Sequence, residues 1–171
     1  FRKPLLSDPE HNLLAIPRKH RAMVRKGMAS GLASGIDADT ERFFTCYADS
    51  VHRLGTPVFS RRYFRELQRE FGDDCEVLSV EQAGEVVSSV LSFHFRGEIL
   101  PYYGGGGEAA RKLAANDFMY WEVMRRACED GCRLFDFGRS KLGTGSFAYK
   151  KNWGFEPQPL HYECQLHRAG R

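Results

Sequence analysis

The stretch that most limits what this chain can become is residues 75–107, CEVLSVEQAGEVVSSVLSFHFRGEILPYYGGGG. Three segments rich in β-branched and aromatic residues, near 75–81, 85–95 and 98–103, are separated by turn signals at 82–84 and 96–97. Connections this short join antiparallel strands, because a parallel crossover needs a dozen residues or more. In the middle segment Val87, Leu91, Phe93 and Phe95 are expected on one side and Ser88, Ser92 and His94 on the other. That is the pattern of a half-buried antiparallel meander.

Helical periodicity dominates on either side. Residues 16–32, IPRKHRAMVRKGMASGL, read as a helix with Pro17 in its first turn and Gly31 at its end. Gly27 inside it costs about 1 kcal/mol relative to alanine. Residues 39–53 predict a second helix, capped by Asp39 or Thr40, with Phe43, Phe44, Tyr47 and Val51 along one side. Ser60 opens a third over 60–71. After the meander, Asn116 or Asp117 is expected to cap a helix whose apolar stripe is Tyr120, Val123, Met124, Ala127 and Cys128, leaving Glu122, Arg125, Arg126 and Glu129 outside and ending at Gly131. A strand at 133–137, a short helix near 145–152 and a last strand near 159–167 complete the order. The fold class expected is α/β (α+β), with a mixed, mainly antiparallel sheet.

At 171 residues and 42% hydrophobic, the chain can bury one real core. No run approaches the roughly 20 apolar residues of a membrane span, and nothing at the start reads as a secretory leader. The five cysteines form no CxxC pair. They read as free thiols, without metal, in a reducing cytoplasm. Charge is uneven: residues 1–36 hold seven basic side chains against Asp8 and Glu10, whereas the other 135 hold 18 basic and 20 acidic ones. Arg18, Arg21 and Arg25 share one face of the first helix, a stripe able to hold phosphates or simply to be solvated.

Residues 138–158, GRSKLGTGSFAYKKNWGFEPQ, follow the strand containing Leu134, Phe135, Asp136 and Phe137. A glycine turn at the carboxyl end of a strand is where α/β proteins handle ligands. Lys150 there is either a donor for an oxyanion or a surface charge; Asp136 is either a proton acceptor or a structural hydrogen-bond acceptor. Tyr102 and Tyr103, followed by Gly104 and Gly105, either line an acceptor groove whose glycines admit a ligand to the backbone, or form a flexible loop. His94 and His161 have no metal-like spacing.

Four ordered blocks carry a resemblance: PRKHRAMVRKGMASGL, YYGGGG, NDFMYWEVMRRACEDGCRLFDFGRS and GTGSFAYKKNWGFEPQPLHY. Together, over roughly residues 14–167, they resemble the FemAB-like transferases of the acyl-CoA N-acyltransferase (GNAT) superfamily, particularly the bacterial branch associated with exopolysaccharide and PEP-CTERM sorting systems. The resemblance implies a GNAT-like sheet with helices on both faces, a basic segment over 1–36 and one transferase domain over 37–171, the second half of a two-domain protein. It also implies transfer of an aminoacyl group to an amine on a peptidoglycan or other envelope precursor. Lys150 inherits an oxyanion role, with Tyr149 beside it and Asp136 nearby. Arg139, Gly143, Gly145 and Trp153 join Arg18, Arg21, Arg25, Tyr102, Tyr103, Gly104 and Gly105 as substrate-binding positions.

Two departures matter. Fem enzymes have two such domains, and this chain has room for one. Ordinary GNAT enzymes hold the CoA pyrophosphate with a [QR]xxGx[GA] loop, which does not occur here; RSKLGTG at 139–145 is one residue too long and follows the wrong strand. The acyl donor is therefore left open between acyl-CoA and aminoacyl-tRNA, and no other cofactor is implied. The competing reading is a non-catalytic half-domain that binds a phosphate-rich partner or a second GNAT-like domain.

Overall fold

The computed structural model describes residues 1–165. Its centre is the expected meander: β3 (Cys75–Gln82), β4 (Glu85–Phe95) and β5 (Glu98–Gly106), all antiparallel. They lie within a six-stranded sheet that also contains β1 (Arg2–Pro4), β2 (Leu32–Asp37) and β6 (Leu134–Asp136), in the order β1-β6-β5-β4-β3-β2. Among the described residues only the β5–β6 pair is parallel. The mixed, mainly antiparallel α/β class is as expected.

Helices cover both faces. On one, α1 (Pro9–Leu14), α2 (Arg18–Ala29) and α6 (Ala115–Glu129) close a core with Val24, Leu78, Val90, Met119, Trp121 and Phe135. On the other, α3 (Glu41–Arg53) and α4 (Arg61–Phe71) bring Phe43, Tyr47 and Phe64 onto Val77 and Leu91. The meander is consequently not half-buried. Ser88 and Ser92, expected to be wet, are buried beneath α6, and Ser88 Oγ donates to the Ala115 carbonyl. Phe95, expected inside, is exposed. Val87 also changes sides, because Val80 pairs with Ser88 while Glu81 pairs with Val86, leaving Val87 as an extra residue that inverts the alternation.

Residues 1–36, expected as a basic segment ahead of the domain, contribute two strands and two helices to the fold. β1 pairs with β6, β2 pairs with β3, and α2 crosses α6 so closely that a Cβ on Gly27 would stand 2.6 Å from Phe118 Cβ. Gly27 is thus a close-approach residue that repays its helix cost in packing. The expected start of α6 is corrected too: α5 (Glu108–Leu113) runs into it through Ala114 in the left-handed conformation, so Asn116 and Asp117 lie inside the helix and cap nothing. Glu122, expected outside, is buried and accepts from Ser34 Oγ and Arg125.

The expected last strand is absent over 159–165, and residues 166–167 of it lie outside the described residues. Pro157 and Pro159 supply no N–H, and the position beside β6 is filled by β1. Among the described residues no helix is long and apolar enough to cross a membrane.

Candidate active site

β5 and β6 start side by side and then part. Glu98 pairs with Leu134 and Ile99 with Phe135, after which β6 ends at Asp136 while β5 continues to Gly106. Part-way along, Leu91 pairs with Tyr103 and Ser92 with Pro101, so Tyr102 is an extra residue in β5. The bulge turns Tyr102 outward, 48% exposed. Between the diverging strands lies an open groove of about 1160 Å³. Leu100 and Tyr102 form one wall; Asp136, Gly138 and Arg139 form the other; residues 157–160 and Tyr162 close the far side.

The turn beyond β6 is built from its own residues. Gly138 has φ +69°, and its N–H donates to Asp136 Oδ1 at 2.8 Å. Asp136 Oδ2 lies 3.3 Å from Arg2 Nε. Gly143, with φ +76°, leads to Thr144, whose Oγ1 caps α7 (Gly145–Asn152) by accepting from the Phe147 N–H. α7 carries Lys150 to a place behind the groove wall, where it does not itself line the groove but stands against Phe1 and Arg139, which do. Its Nζ donates to the Arg139 carbonyl at 2.9 Å and lies 5.7 and 5.5 Å from the ring centres of Phe1 and Phe137. Burial lowers its pKa to about 8, against the opposing pull of the Asp136 carboxylate.

A half-buried ammonium that can lose its proton near neutrality, beside a cleft, is suited to stabilising developing negative charge. Beyond Ile99 the β6-facing edge of β5 has no strand partner among the described residues. Such an edge can pair with an extended amide-bearing ligand. Arg139 and Lys141 add positive charge to the wall.

Of the residues selected from sequence, Tyr102, Asp136 and Arg139 line this groove, and Lys150 stands behind it on the Arg139 carbonyl. The others are placed elsewhere. Tyr103 faces α3 and α4, its hydroxyl 2.8 Å from that of Tyr63. Gly104 and Gly105 do not form a loop; they are in β5, outside the groove wall, and a Cβ on Gly105 would meet Cys46 O at 2.6 Å and Tyr47 Cα at 2.8 Å. Trp153 is 1% exposed, within the core, where no substrate can touch it. Tyr149 turns inward from α7 and donates to Asp117 Oδ1 at 3.1 Å. Arg18, Arg21 and Arg25 lie along α2 and form no part of the groove wall; Arg21 Nη1 donates to the Leu14 carbonyl. Gly143 and Gly145 shape the loop without lining the groove.

Sequence reasoning missed Leu100, Phe147 and the 157–162 segment as groove residues; only a register for β5 could have revealed the first. It also missed Asp117 and His20, which meet Tyr149 from other helices. No group of three or more His, Cys, Asp or Glu side chains suited to a metal occurs among the described residues. Burial pushes the thiols of Cys46 and Cys75 up to about 11, so both are inert.

Residues 18–151 match the acetyltransferase (GNAT) domain family. The chain belongs to that family. No curated protein sequence matches it. Among solved structures, this GNAT domain is similar to FemX, with a TM-score of 0.81 and 16% identity over 90% of the chain. It spans 57% of the FemX chain. The ribosomal-protein-S18-alanine N-acetyltransferase from Escherichia coli has a TM-score of 0.63 at 9% identity, covering 75% of this chain and 79% of that one. An aminoglycoside acetyltransferase from an uncultured soil metagenomic sample has 0.63 at 10%, covering 82% and 99%. At these identities the likeness is one of fold, and family membership supports transferase activity.

Proposed function

We propose that the groove between β5 and β6 is the active site of an acyltransferase that moves an acyl or aminoacyl group onto an amine of a cell-envelope or exopolysaccharide precursor. The observation that carries the reading is Lys150, held by α7 against the Arg139 carbonyl where the two strands part. The acceptor nitrogen attacks the donor carbonyl, the carbonyl oxygen becomes an oxyanion, and the protonated Lys150 stabilises it. The bond to the leaving oxygen or sulfur then breaks, the leaving group takes up a proton, and the nitrogen loses one. Asp136 keeps lone pairs beyond those given to Gly138 and Arg2 and is the carboxylate in the groove wall to receive it.

The donor favoured is an aminoacyl-tRNA ester, with acyl-CoA the alternative. The glycines of 104–106 are filled by packing, and Arg53 donates to the Gly106 carbonyl where β5 passes toward the following helix. That junction has little in common with a pyrophosphate loop. Arg18, Arg21 and Arg25 offer a separate basic stripe for the phosphates of such a donor. Because the chain spans 57% of FemX, a second GNAT-like domain is a further partner in this reading, and the site of action is the cytoplasm, where charged tRNA is found.

The test is a transfer assay with charged tRNAs and with acetyl-CoA as donors and amino-sugar or peptide amines as acceptors. Lys150→Ala is expected to lose between about tenfold and a thousandfold in rate with an unchanged fold. Full turnover by that variant, or salt-dependent tRNA binding with no transfer from any donor, overturns the proposal, the second outcome in favour of a binding half-domain.

A further inference from the structure

α7 has eight residues, none of them fully buried. A helix so lightly held needs something to fix its rotation, since Lys150 projects from it onto the Arg139 carbonyl and the Phe1 ring of the groove wall. Its deepest side chain is the neighbouring Tyr149. The ring lies edge-on to His20 with centroids 5.5 Å apart and within 6.3 Å of Tyr120, Phe137 and Trp153. The hydroxyl reaches Asp117 Oδ1 of α6 at 3.1 Å, and His20 Nδ1 of α2 lies 3.4 Å from the same oxygen. Asp117 is 9% exposed and caps no helix, so its carboxylate is committed to this junction.

We propose that Tyr149, Asp117 and His20 form a positioning network that locks α7 to α2 and α6 and thereby sets where the Lys150 ammonium stands. Tyr149 touches no groove wall; it acts through Lys150, and its hydroxyl, rather than its bulk, sets the angle. A rotation of α7 by a fraction of a turn would carry Nζ off the Arg139 carbonyl and out from between Phe1 and Phe137, toward water. The catalytic meaning of the network rests on the reading of Lys150 as the oxyanion donor; its effect on where that ammonium stands does not.

The two can be separated by following the Lys150 titration directly, with isotope-labelled lysine and heteronuclear NMR, beside steady-state kinetics. The charged groups facing Lys150 are Asp136 from β6 and, with the lysine's own sign, the amino group of Phe1. Neither is altered by Tyr149→Phe or Asp117→Asn. In both variants a freed ammonium regains water, and its midpoint should rise from about 8 by about half a unit or more toward the usual lysine value. The direction is diagnostic for Asp117→Asn: removing a negative charge by itself lowers a lysine pKa, so a rise reports movement and not lost charge. Turnover should fall about tenfold to a hundredfold with KM changed less than about twofold, as for a misplaced catalytic group.

Tyr149→Phe keeps the packed ring and is the variant expected to fold regardless; His20→Ala removes the outer arm and should give a smaller rise of the same sign. A midpoint unchanged in folded Tyr149→Phe overturns the positioning network whatever happens to the rate. If the midpoint rises while turnover does not depend on Lys150, the network stands and the oxyanion role falls.

Discussion

Two glycine-rich stretches of this chain, 104–107 and 138–145, look alike in composition and have opposite physics. In the first, glycine is required by what lies against it: helix α3 presses its backbone onto Gly105, and Asn116 and Ala110 would collide with a Cβ on Gly106. In the second, glycine is required by how the chain turns. Gly138 and Gly143 have positive φ, with nothing within 4 Å of a Cβ at Gly143. One stretch is closed by packing and the other borders an open groove. Changes in the first should therefore cost stability through collision, and changes in the second only through backbone conformation, while rate should move at Lys150 beyond it.

The largest expected effect is at the open end. Beyond the loss predicted for Lys150→Ala, the pH dependence should carry the signature of this ammonium. An oxyanion donor must be protonated, so turnover should fall as pH rises through about 8. Stability should move the other way. The folded pKa lies below the usual 10.5, so between the two values the unfolded chain binds more protons, and the contribution of Lys150 to stability improves as pH rises through that window. Comparing wild type with Lys150→Met in urea titrations at pH 7.5 and 10 isolates the term. A wild-type stability that rises relative to Lys150→Met between the two pH values fits; one that falls would place the lysine in a favourable ion pair instead.

Gly105→Ala comes next and belongs to the closed stretch. Its Cβ would meet backbone atoms of Cys46 and Tyr47 below 3.0 Å, and backbone cannot swing aside, so α3 must shift. Overpacking of this kind should cost about 3 kcal/mol, or about 10 °C in Tm, read by thermal unfolding. An unchanged Tm would mean that α3 docks loosely and that the stretch is as open as the other.

The limits of the sequence follow from the same contrast. The meander could be read because alternation and turn residues are local, yet the side taken by Val87 could not, since one extra residue in the register inverts it. β1 and β2 escaped notice because RKP and LASGID have no strand signal of their own; their partners β6 and β3 impose the conformation. Lys150 could be picked from its motif, and the turn at Gly138 from the strand before it. The commitment of Tyr149 could not, because Asp117 lies 32 residues away and His20 lies on a third helix. Local chemistry is written in order along the chain, whereas what presses on a glycine, or what a buried hydroxyl meets, is decided by elements far off in sequence.

Two alanines at the open stretch separate backbone strain from contact. At Gly143 a Cβ meets nothing, but φ is +76°, so alanine should lose about 1 kcal/mol of stability, with asparagine losing less because its side chain tolerates the left-handed region. At Gly145 a Cβ also meets nothing, and the residue opens α7 without a positive φ. Alanine there restricts the unfolded chain more than the folded one, so it should stabilise slightly, by about 0.4–1 kcal/mol. The pair shares one open environment, so a difference in their unfolding midpoints reports the positive φ at Gly143 together with the helix preference of alanine at Gly145. If Gly145→Ala instead destabilised by as much as Gly105→Ala, the loop would be packed against something, and the division between a closed and an open glycine stretch would be lost.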